Sequence, residues 1–312
     1  MRLCRTLLAL LLAPVSSYAE GFPDWAFPGP APGNSDPASE SRLIHVPGSA
    51  VTMREQDARK IHLPPDWFPK EHAPMPMGVG VSRGPDLWAC GYCHLTDGSG
   101  RPENATLQGL PAAYIREQVA AFRSGERKSA KADWRPTQNM ANVANNATDT
   151  EIEAAAEYFS NGRFTSRVRL IESANAPRVE TLGYVWGKVP GPKEPLGRRI
   201  VEVPVDSADF EKRNPHTRFV AYVPKGSLAR GRRLAESQGC ATCHGEGLRG
   251  GVTAVAPPIA GRSPTYLFRQ LYGFKLGQRS NAGAEPMRRM SVGLDVDQMI
   301  DLAAYVASQR SH

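Results

Sequence analysis

The chain has 312 residues, which is enough for two or three domains with separate hydrophobic cores. Apolar residues make up 41% and charged residues 22%, a composition that excludes an intrinsically disordered protein. The formal net charge of +7 is scattered along the chain, which argues against a nucleic-acid-binding protein.

Residues 1–19 show the pattern of a secretory signal peptide. Arg2 and Arg5 form its positive region, residues 7–15 form a short apolar run, and residues 17–19 form a small-residue cleavage site. The run is shorter than the roughly 20 apolar residues needed to span a membrane, and no later stretch is long enough. We therefore predict an exported, periplasmic protein without a membrane span in its mature chain.

Residues 20–85 are rich in proline and aromatic residues and keep neither a helical nor a strand periodicity. This composition predicts an irregular N-terminal arm that lies over the rest of the protein. Trp25, Trp67 and Phe68 are the expected anchors of the arm. A disordered tail over residues 20–42 is the alternative.

Four of the five cysteines fall into two copies of one motif, CGYCH at residues 90–94 and CATCH at residues 240–244. C-x-x-C-H is the attachment signature of c-type haem, in which two thiols one helical turn apart bond to the vinyl groups of the porphyrin. The histidine that follows coordinates the iron as its proximal ligand. The sequence therefore predicts two covalently bound haems c, attached at Cys90, Cys93, Cys240 and Cys243 and ligated by His94 and His244.

Three other uses of paired cysteines fit less well. A thioredoxin-type pair requires neither the histidine nor a second copy of the motif. A zinc site needs its two C-x-x-C pairs about 15–20 residues apart, whereas these motifs lie 150 residues apart. A disulfide is possible in an exported protein, but C-x-x-C would close a very tight loop. Covalent haem also agrees with export, because bacteria attach c-type haem outside the cytoplasm.

Each motif is followed by the same two helical patterns, which indicates that a whole domain is repeated. Apolar residues at helical spacing follow Tyr114 in the first copy and Tyr266 in the second. Both copies end with a second helix, which a capping box should begin. The boxes are Thr148 with Glu151 and Asp295 with Gln298.

This order of C-x-x-C-H, middle helix, loop methionine and C-terminal helix resembles that of class I c-type cytochromes. Two copies in one exported chain resemble the di-haem, cytochrome c-553-like members of that class. The resemblance implies a mainly α fold with two class I cytochrome c domains in tandem, at residues 86–164 and 229–312. Residues 165–228 between them alternate β-branched and polar residues and predict a connector with two to four short strands.

The resemblance also implies that a methionine from the loop before the last helix is the sixth iron ligand. Met140 is the candidate in the first domain, whereas Met287 and Met290 compete in the second, in the stretch EPMRRM. Met287 lies 18 residues before Tyr305, as Met140 lies 18 before Tyr158, but Met290 matches Met140 in lying 46 residues after the proximal histidine. We favour Met287, because the short link into the final helix should vary least, and keep Met290 as the alternative.

Two departures from the family pattern distinguish the copies. Pro257 should offer its carbonyl to the proximal His244, whereas Ala105 stands at the matching place in the first copy. Gly231 lies where the family packs its first helix against its last, but Pro85 interrupts that segment in the first copy. We therefore expect a shortened or irregular first helix in the first domain.

Ligation by histidine and methionine fills both axial positions of the iron, which suits electron transfer and leaves no site for oxygen or peroxide. We predict an electron carrier rather than an enzyme, acting between respiratory or dehydrogenase partners, with docking to a membrane complex possible. A di-haem peroxidase is the first alternative, and an electron-transfer subunit of a dehydrogenase or oxidase complex is the second. A thiosulfate-oxidising cytochrome would need a cysteine ligand that the mature chain lacks. His72, Met75 and Met77 are weaker candidates for iron ligation.

Overall fold

A computed structural model describes residues 21–30, 41–251 and 256–311 of the chain. The predicted signal peptide lies outside these residues. No helix in the described ranges is long and apolar enough to cross a membrane. The chain forms an N-terminal arm, two helical repeats and a β-rich connector between the repeats.

The arm has a small core of its own over residues 41–85. Strands β1 (Leu43–Ile44) and β2 (Met53–Arg54) pair antiparallel and lead into helix α1 (Glu55–Ala58). The side chains of Trp67 and Phe68 are only 1% and 8% exposed, and they pack with Ile44, Val46 and Ala58. The sequence predicted both aromatic anchors but not this core, because its apolar residues recur without a period.

Residues 21–30 pack across both repeats. The ring of Trp25 lies 4.5 Å from that of Phe268 in the second repeat. The ring of Phe27 lies 5.5 Å from that of Trp134 in the first repeat, and the Trp134 indole N–H donates to the carbonyl of Pro28 at 3.1 Å. For these residues the structure therefore favours the anchored arm over the disordered tail.

The first repeat, residues 86–164, is fully described and lacks a helix ahead of its C-x-x-C-H motif. Residues 59–89 are irregular, so the segment expected to form a shortened or irregular first helix forms no helix at all. The capping box of Thr148 and Glu151 is formed as predicted. The helices of this repeat are α2 (Cys90–His94), α3 (Ala112–Arg123), α4 (Arg135–Asn146) and α5 (Asp149–Ser160).

The connector, residues 165–228, is also fully described and contains seven strands rather than two to four. Two of them, β4 and β7, are only two residues long, which is too short to produce an alternating pattern in the sequence. They are β3 (Val168–Glu172), β4 (Asn175–Ala176), β5 (Val179–Leu182), β6 (Val185–Lys188), β7 (Glu194–Pro195), β8 (Val201–Pro204) and β9 (Phe219–Val223), with helix α6 (Ser207–Glu211) before β9.

Strand β9 is the centre of the main sheet of the connector. It pairs parallel with β3 and antiparallel with β8. Strands β5 and β6 form a hairpin, and β4 pairs with β7. Every residue of β8 and most of β9 are buried, because both faces of this sheet are covered.

The described part of the second repeat has one helix more than the first, ahead of its C-x-x-C-H motif. Gly231 in this helix lies against the carbonyl of Asp301 so closely that a Cβ atom would collide with it, which confirms the predicted contact with the last helix. The helices are α7 (Ser227–Ser237), α8 (Cys240–His244), α9 (Pro264–Lys275), α10 (Glu285–Val292) and α11 (Val296–Ser308). Strand β3 packs on α11 and β8 on α9, so the connector is docked on this repeat.

The candidate sixth ligands lie on helices, so the expectation of a ligand loop is wrong. Met140 lies on α4, and Met287 and Met290 lie on α10. Pro136 and Pro286 occupy the first turns of these helices, where a missing N–H leaves no hydrogen bond unmade. The eight residues of α10 are too few to show a helical period in the sequence.

Candidate haem-binding sites

His94 is the last residue of α2, and its ring is fixed for metal binding. Its Nδ1 lies 2.8 Å from the carbonyl oxygen of Ala105, so Nδ1–H donates and Nε2 remains free as the coordinating nitrogen. The ring of Phe159 on α5 packs edge-on at 6.4 Å. Burial lowers the pKa of His94, although the bond to Ala105 opposes this, so the ring is in the neutral form that binds iron.

His244 repeats this arrangement at the end of α8. Its Nδ1 lies 2.8 Å from the carbonyl oxygen of Pro257, which confirms the partner expected from the sequence. Burial again lowers the pKa of the histidine against the opposing effect of that hydrogen bond. Ala105 and Pro257 therefore orient the two rings in the same way, although only Pro257 matches the family pattern.

The cysteines suit thioether attachment better than the other uses of paired thiols. The four described cysteines are free, so no disulfide forms within either motif. Burial raises the pKa of Cys90 to about 12 and also raises the pKa of Cys93 and Cys240, so these sulfurs carry no charge. A thioether sulfur is uncharged as well and fits such a site. No cluster that could bind zinc occurs among the described histidines, cysteines and carboxylates.

One cavity of about 180 Å³ brings the first set of predicted residues together. Its walls include the side chains of Cys90, Cys93, His94 and Met140. The two cysteines and the histidine reach it from α2, and the methionine reaches it from α4 on another side of the repeat. The first repeat therefore brings the candidate attachment pair, the candidate proximal ligand and the candidate sixth ligand around one space.

In the second repeat the structure separates the two competing methionines. Met290 packs against the main hydrophobic core, whereas Met287 is partly buried and does not belong to that cluster. Met287 precedes the capping residue of the last helix by eight residues, as Met140 does in the first repeat. Met290 matches Val143 instead. These positions favour Met287 as the counterpart of Met140.

None of the weaker ligand candidates in the arm lines the cavity beside Cys90 and His94. Both ring nitrogens of His72 are engaged, with the carbonyl of Ala73 at 2.9 Å and with Asp66 at 3.0 Å. Met75 packs beside Gly80 and against the hydrophobic core of the first repeat. Met77 is 52% exposed.

Two buried arginines, Arg127 and Arg279, meet where the repeats join. Their backbones form an antiparallel bridge, next to which Lys128 N–H donates to the carbonyl of Gln278 at 2.7 Å. Arg127 donates to the side-chain oxygens of Gln118 and Gln270 at 2.8 and 3.1 Å. Arg279 donates to the same two oxygens at 2.6 and 3.1 Å. Each repeat thus contributes one glutamine and one arginine, and the two pairs are related by a local two-fold axis.

The positive charge at this junction has no acidic partner. Neither Arg127 nor Arg279 forms an ion pair with any carboxylate that the structure describes. The Nε of Arg279 is buried without a hydrogen-bond partner. Burial would raise the pKa of Tyr114, but Arg279 and Arg127 outweigh it and lower that pKa. Because buried charges need compensation, this site calls for an anionic group.

The propionate carboxylates of haem are such anions. Arg127 and Arg279 line the same cavity as Cys90, Cys93 and His94. The cavity therefore has apolar walls, two attachment thiols, an oriented imidazole and unpaired guanidinium groups. These residues fit a haem c, whose propionates Arg127 and Arg279 would hold.

Sequence reasoning overlooked this arginine pair, although the sequence held the signal. Gln118 follows Tyr114 by 4 residues and Arg127 follows it by 13. Gln270 and Arg279 follow Tyr266 at the same two offsets. The apolar positions of these stretches predict the helices, whereas only the polar positions carry the sign of the junction. Polar residues repeated at fixed offsets would have predicted a shared polar contact.

Comparison with known proteins agrees with the two-repeat arrangement. The family described as cytochrome c matches residues 81–162 and again residues 228–310. Together these segments make up more than half of the chain. Each contains one C-x-x-C-H motif and one final capped helix.

Individual relatives are distant but cover both repeats. The thiosulfate dehydrogenase electron acceptor of Stutzerimonas stutzeri is 25% identical over 226 residues, which cover 72% of this chain and 80% of that protein. Cytochrome c4 of Azotobacter vinelandii is 23% identical over 221 residues, covering 70% and 82%. Among solved structures, thiosulfate dehydrogenase from Marichromatium purpuratum matches 72% of this chain at 26% identity with a TM-score of 0.49. This chain spans 37% of that one.

Proposed function

The chain belongs to the cytochrome c family and carries two covalently bound haems c, and on that premise we propose that it is an exported electron carrier with two histidine/methionine-ligated irons. A bound haem supplies reversible one-electron redox chemistry. The residues of the chain attach it, orient its ligands and exclude water. We place the haem domains at residues 86–164 and 229–312, joined by the connector at residues 165–228.

The observation that carries this proposal is the equivalence of the two oriented histidines. In both repeats a buried, neutral imidazole donates through Nδ1 to a backbone carbonyl at 2.8 Å. That bond leaves Nε2 free and raises its basicity as a ligand. The attachment residues in this proposal are Cys90, Cys93, Cys240 and Cys243, and the proximal ligands are His94 and His244.

Met140 and Met287 are the proposed sixth ligands. A thioether ligand opposite histidine raises the reduction potential and leaves no open coordination position. Such a centre exchanges electrons with little rearrangement and does not bind peroxide. The di-haem peroxidase is therefore not favoured, and the chain acts through redox protein partners rather than on a substrate of its own.

The relatives support a place for this protein downstream of an oxidising enzyme. One of them is named as an electron acceptor for thiosulfate dehydrogenase. By analogy, this chain would accept electrons from a dehydrogenase and pass them to a respiratory acceptor. The signal-like residues 1–19 support a periplasmic site for this exchange.

A spectroscopic redox titration of the di-haem protein tests the ligand assignment. Ligation by methionine gives a weak absorption at the red end of the oxidised spectrum. We expect Met140→Ala and Met287→Ala each to remove about half of this absorption and to lower the potential of one haem. Met290→Ala is the matched control on the same helix, and it should retain the full absorption and both potentials.

Two results would overturn the assignment. If none of the three variants lost absorption, ligation by methionine would be wrong for both irons. If Met290→Ala lost it and Met287→Ala did not, Met290 would be the ligand. Mixing the wild-type protein with hydrogen peroxide tests the rival function, since a carrier should show no turnover whereas a peroxidase should consume peroxide.

A further inference from the structure

The C-x-x-C-H helix of the first repeat is covered by the arm. Cys90 N–H donates to the carbonyl of Gly78 at 2.8 Å, and Gly91 N–H donates to that of Val79 at 3.1 Å. A Cβ atom on Gly91 would lie 2.8 Å from the Val79 oxygen, so the two backbones are in direct contact. The hydroxyl of Tyr92 donates to the carbonyl of Arg59 at 3.2 Å.

A turn of the connector covers the same helix from another side. The Arg213 guanidinium lies 3.6 Å from the centre of the Tyr92 ring, and it donates to the Tyr92 carbonyl at 2.8 Å. Arg213 has a φ of 59°, an unfavourable value for a residue with a side chain. Strain of this kind persists only where the surrounding contacts hold it.

The arm and this turn are joined to each other. The Trp67 indole N–H donates to the carbonyl of Lys212 at 2.7 Å. The ring of His216 stacks on Phe68 at 3.9 Å and bonds to Glu71 at 2.7 Å. We call residues 59–80 and 206–217 together the cover.

The matching helix of the second repeat is bare. Ala241, Thr242 and Cys243 on α8 are exposed, whereas Gly91 and Tyr92 in the first repeat are buried. Among the described residues, only α7 and the turn at Glu246–Leu248, both from its own repeat, pack closely on α8. The described residues therefore cover one attachment helix and leave the other open.

The charges of the two repeats differ in sign. Residues 86–164 contain 8 basic and 10 acidic residues, a balance of −2. Residues 229–312 contain 11 basic and 6 acidic residues, a balance of +5. Three of these arginines, Arg262, Arg269 and Arg279, are buried, and without them the second repeat is still +2. Next to the bare helix the exposed charges are mixed, since Glu246 and Arg249 lie two and five residues after His244, so the positive balance belongs to the repeat as a whole.

We propose that the bare face of α8 is the docking surface through which this protein exchanges electrons with an acidic redox protein. This inference rests on the proposed carrier function. The open helix brings a partner close to the second attachment site, and the positive repeat attracts acidic surfaces over a distance set by the salt concentration. The cover keeps partners away from the corresponding helix of the first repeat.

A charge-insertion experiment on the di-haem protein tests this surface. The probe is a reduced plant-type ferredoxin, a small acidic iron–sulfur protein with a potential well below that of a histidine/methionine-ligated haem. One electron leaves its reduced cluster, which becomes oxidised, and one ferric iron of the cytochrome becomes ferrous. The second-order rate is followed by stopped-flow absorbance at about 10 mM and at about 500 mM salt.

The variants Thr242→Glu and Thr150→Glu change the total charge equally at two exposed sites, one on α8 and one on α5. We expect Thr242→Glu to slow reduction by about three- to tenfold at low salt, with the difference vanishing at high salt. Thr150→Glu should change the rate less than about 1.5-fold. Absorbance confirms two haems and the methionine–iron band in each variant, so that loss of the proposed ligation is recognised separately.

Either of two results would overturn the docking surface. Equal slowing in both variants would mean that only the total charge matters. Stronger slowing in Thr150→Glu would place the contact on the first repeat. In both cases an intact methionine–iron band would leave the carrier function standing.

Discussion

The two repeats contain the same candidate haem residues on equivalent helices, but different elements pack against these helices. Each has a C-x-x-C-H helix, a middle helix, a helix with a methionine and a capped final helix. In the second repeat α7 braces the final helix through Gly231, whereas in the first repeat the arm takes that place and Gly78 lies against Glu151. The two repeats thus share the four helices that carry the candidate haem residues, while the element that packs on the final helix is a helix in one repeat and an irregular segment in the other.

The largest expected effect comes from a substitution that disrupts the contact between α7 and α11 in the second repeat. In Gly231→Ala the new methyl group would collide with the backbone carbonyl of Asp301, which cannot move away as a flexible side chain could. We expect a loss of about 3 kcal/mol in the free energy of unfolding, in the range of an overpacked contact. Urea unfolding followed by circular dichroism measures it.

Gly78→Ala is the matched change in the first repeat. Its added Cβ would lie 3.2 Å from the Cβ of Glu151, at a φ of 86°. We expect a loss of about 1–2 kcal/mol, mainly from backbone strain. A larger loss for Gly78→Ala than for Gly231→Ala would contradict the view that the helical brace is the tighter one.

The next largest effect concerns the arginine pair to which both repeats contribute. Removing one junction cation by Arg279→Gln should lower the reduction potentials, because a nearby positive charge favours the ferrous state. We expect about 60 mV, which corresponds to about 1.4 kcal/mol for one electron. Arg127→Gln should act alike because of the local two-fold symmetry. The exposed Arg289→Gln is the control, and an equal shift there would disprove a special role for the junction.

A smaller effect concerns the cover. Arg213→Gly keeps the turn conformation, since glycine accepts a positive φ, but it loses the stacking on Tyr92 and the bond to its carbonyl. We expect amide hydrogen exchange at Cys90 and Gly91 to become about fivefold faster. This corresponds to a free energy of local opening that is lower by about 1 kcal/mol. Exchange at Thr242 on the bare helix should not change. Unaltered exchange at Cys90 and Gly91 would show that Arg213 does not hold the cover.

The smallest effect is a pH dependence confined to the arm. Burial acts to lower the pKa of His72, but its hydrogen bonds to Ala73 and Asp66 outweigh this and raise it. A raised folded-state pKa stabilises the protein at pH values below the unfolded pKa of about 6.5. This stabilisation is lost as the pH rises through the folded-state pKa. Urea midpoints from pH 5 to 9 should therefore fall slightly in the wild type, and this fall should flatten in His72→Gln.

The features that the sequence predicted are local or repeated. The C-x-x-C-H motifs, the capping boxes of Thr148 and Asp295, and the close packing at Gly231 each depend on a few neighbouring residues or on a known helix contact. The helical state of EPMRRM escaped prediction because a helix of eight residues shows barely two turns. Its methionines could be ranked from spacing alone, and the ranking of Met287 above Met290 stays a prediction.

The cover could not be predicted, because it joins distant parts of the chain. Trp67 and Lys212 are 145 residues apart in the sequence, and neither belongs to a motif. The core of the arm likewise depends on apolar residues spread over an irregular segment. Such contacts follow from the folded arrangement of both repeats and the connector, and one unaligned sequence carries no local sign of them.

The proposed electron-carrier function depends most on Met140 and Met287 as the sixth iron ligands. The most direct measurement is the proton NMR spectrum of the fully reduced di-haem protein, in which the methyl group of an iron-bound methionine shifts strongly upfield. We expect two such signals in the wild type, one lost in Met140→Ala, the other lost in Met287→Ala, and both kept in Met290→Ala. Two signals that persist in Met287→Ala, or the loss of one in Met290→Ala, would contradict this assignment.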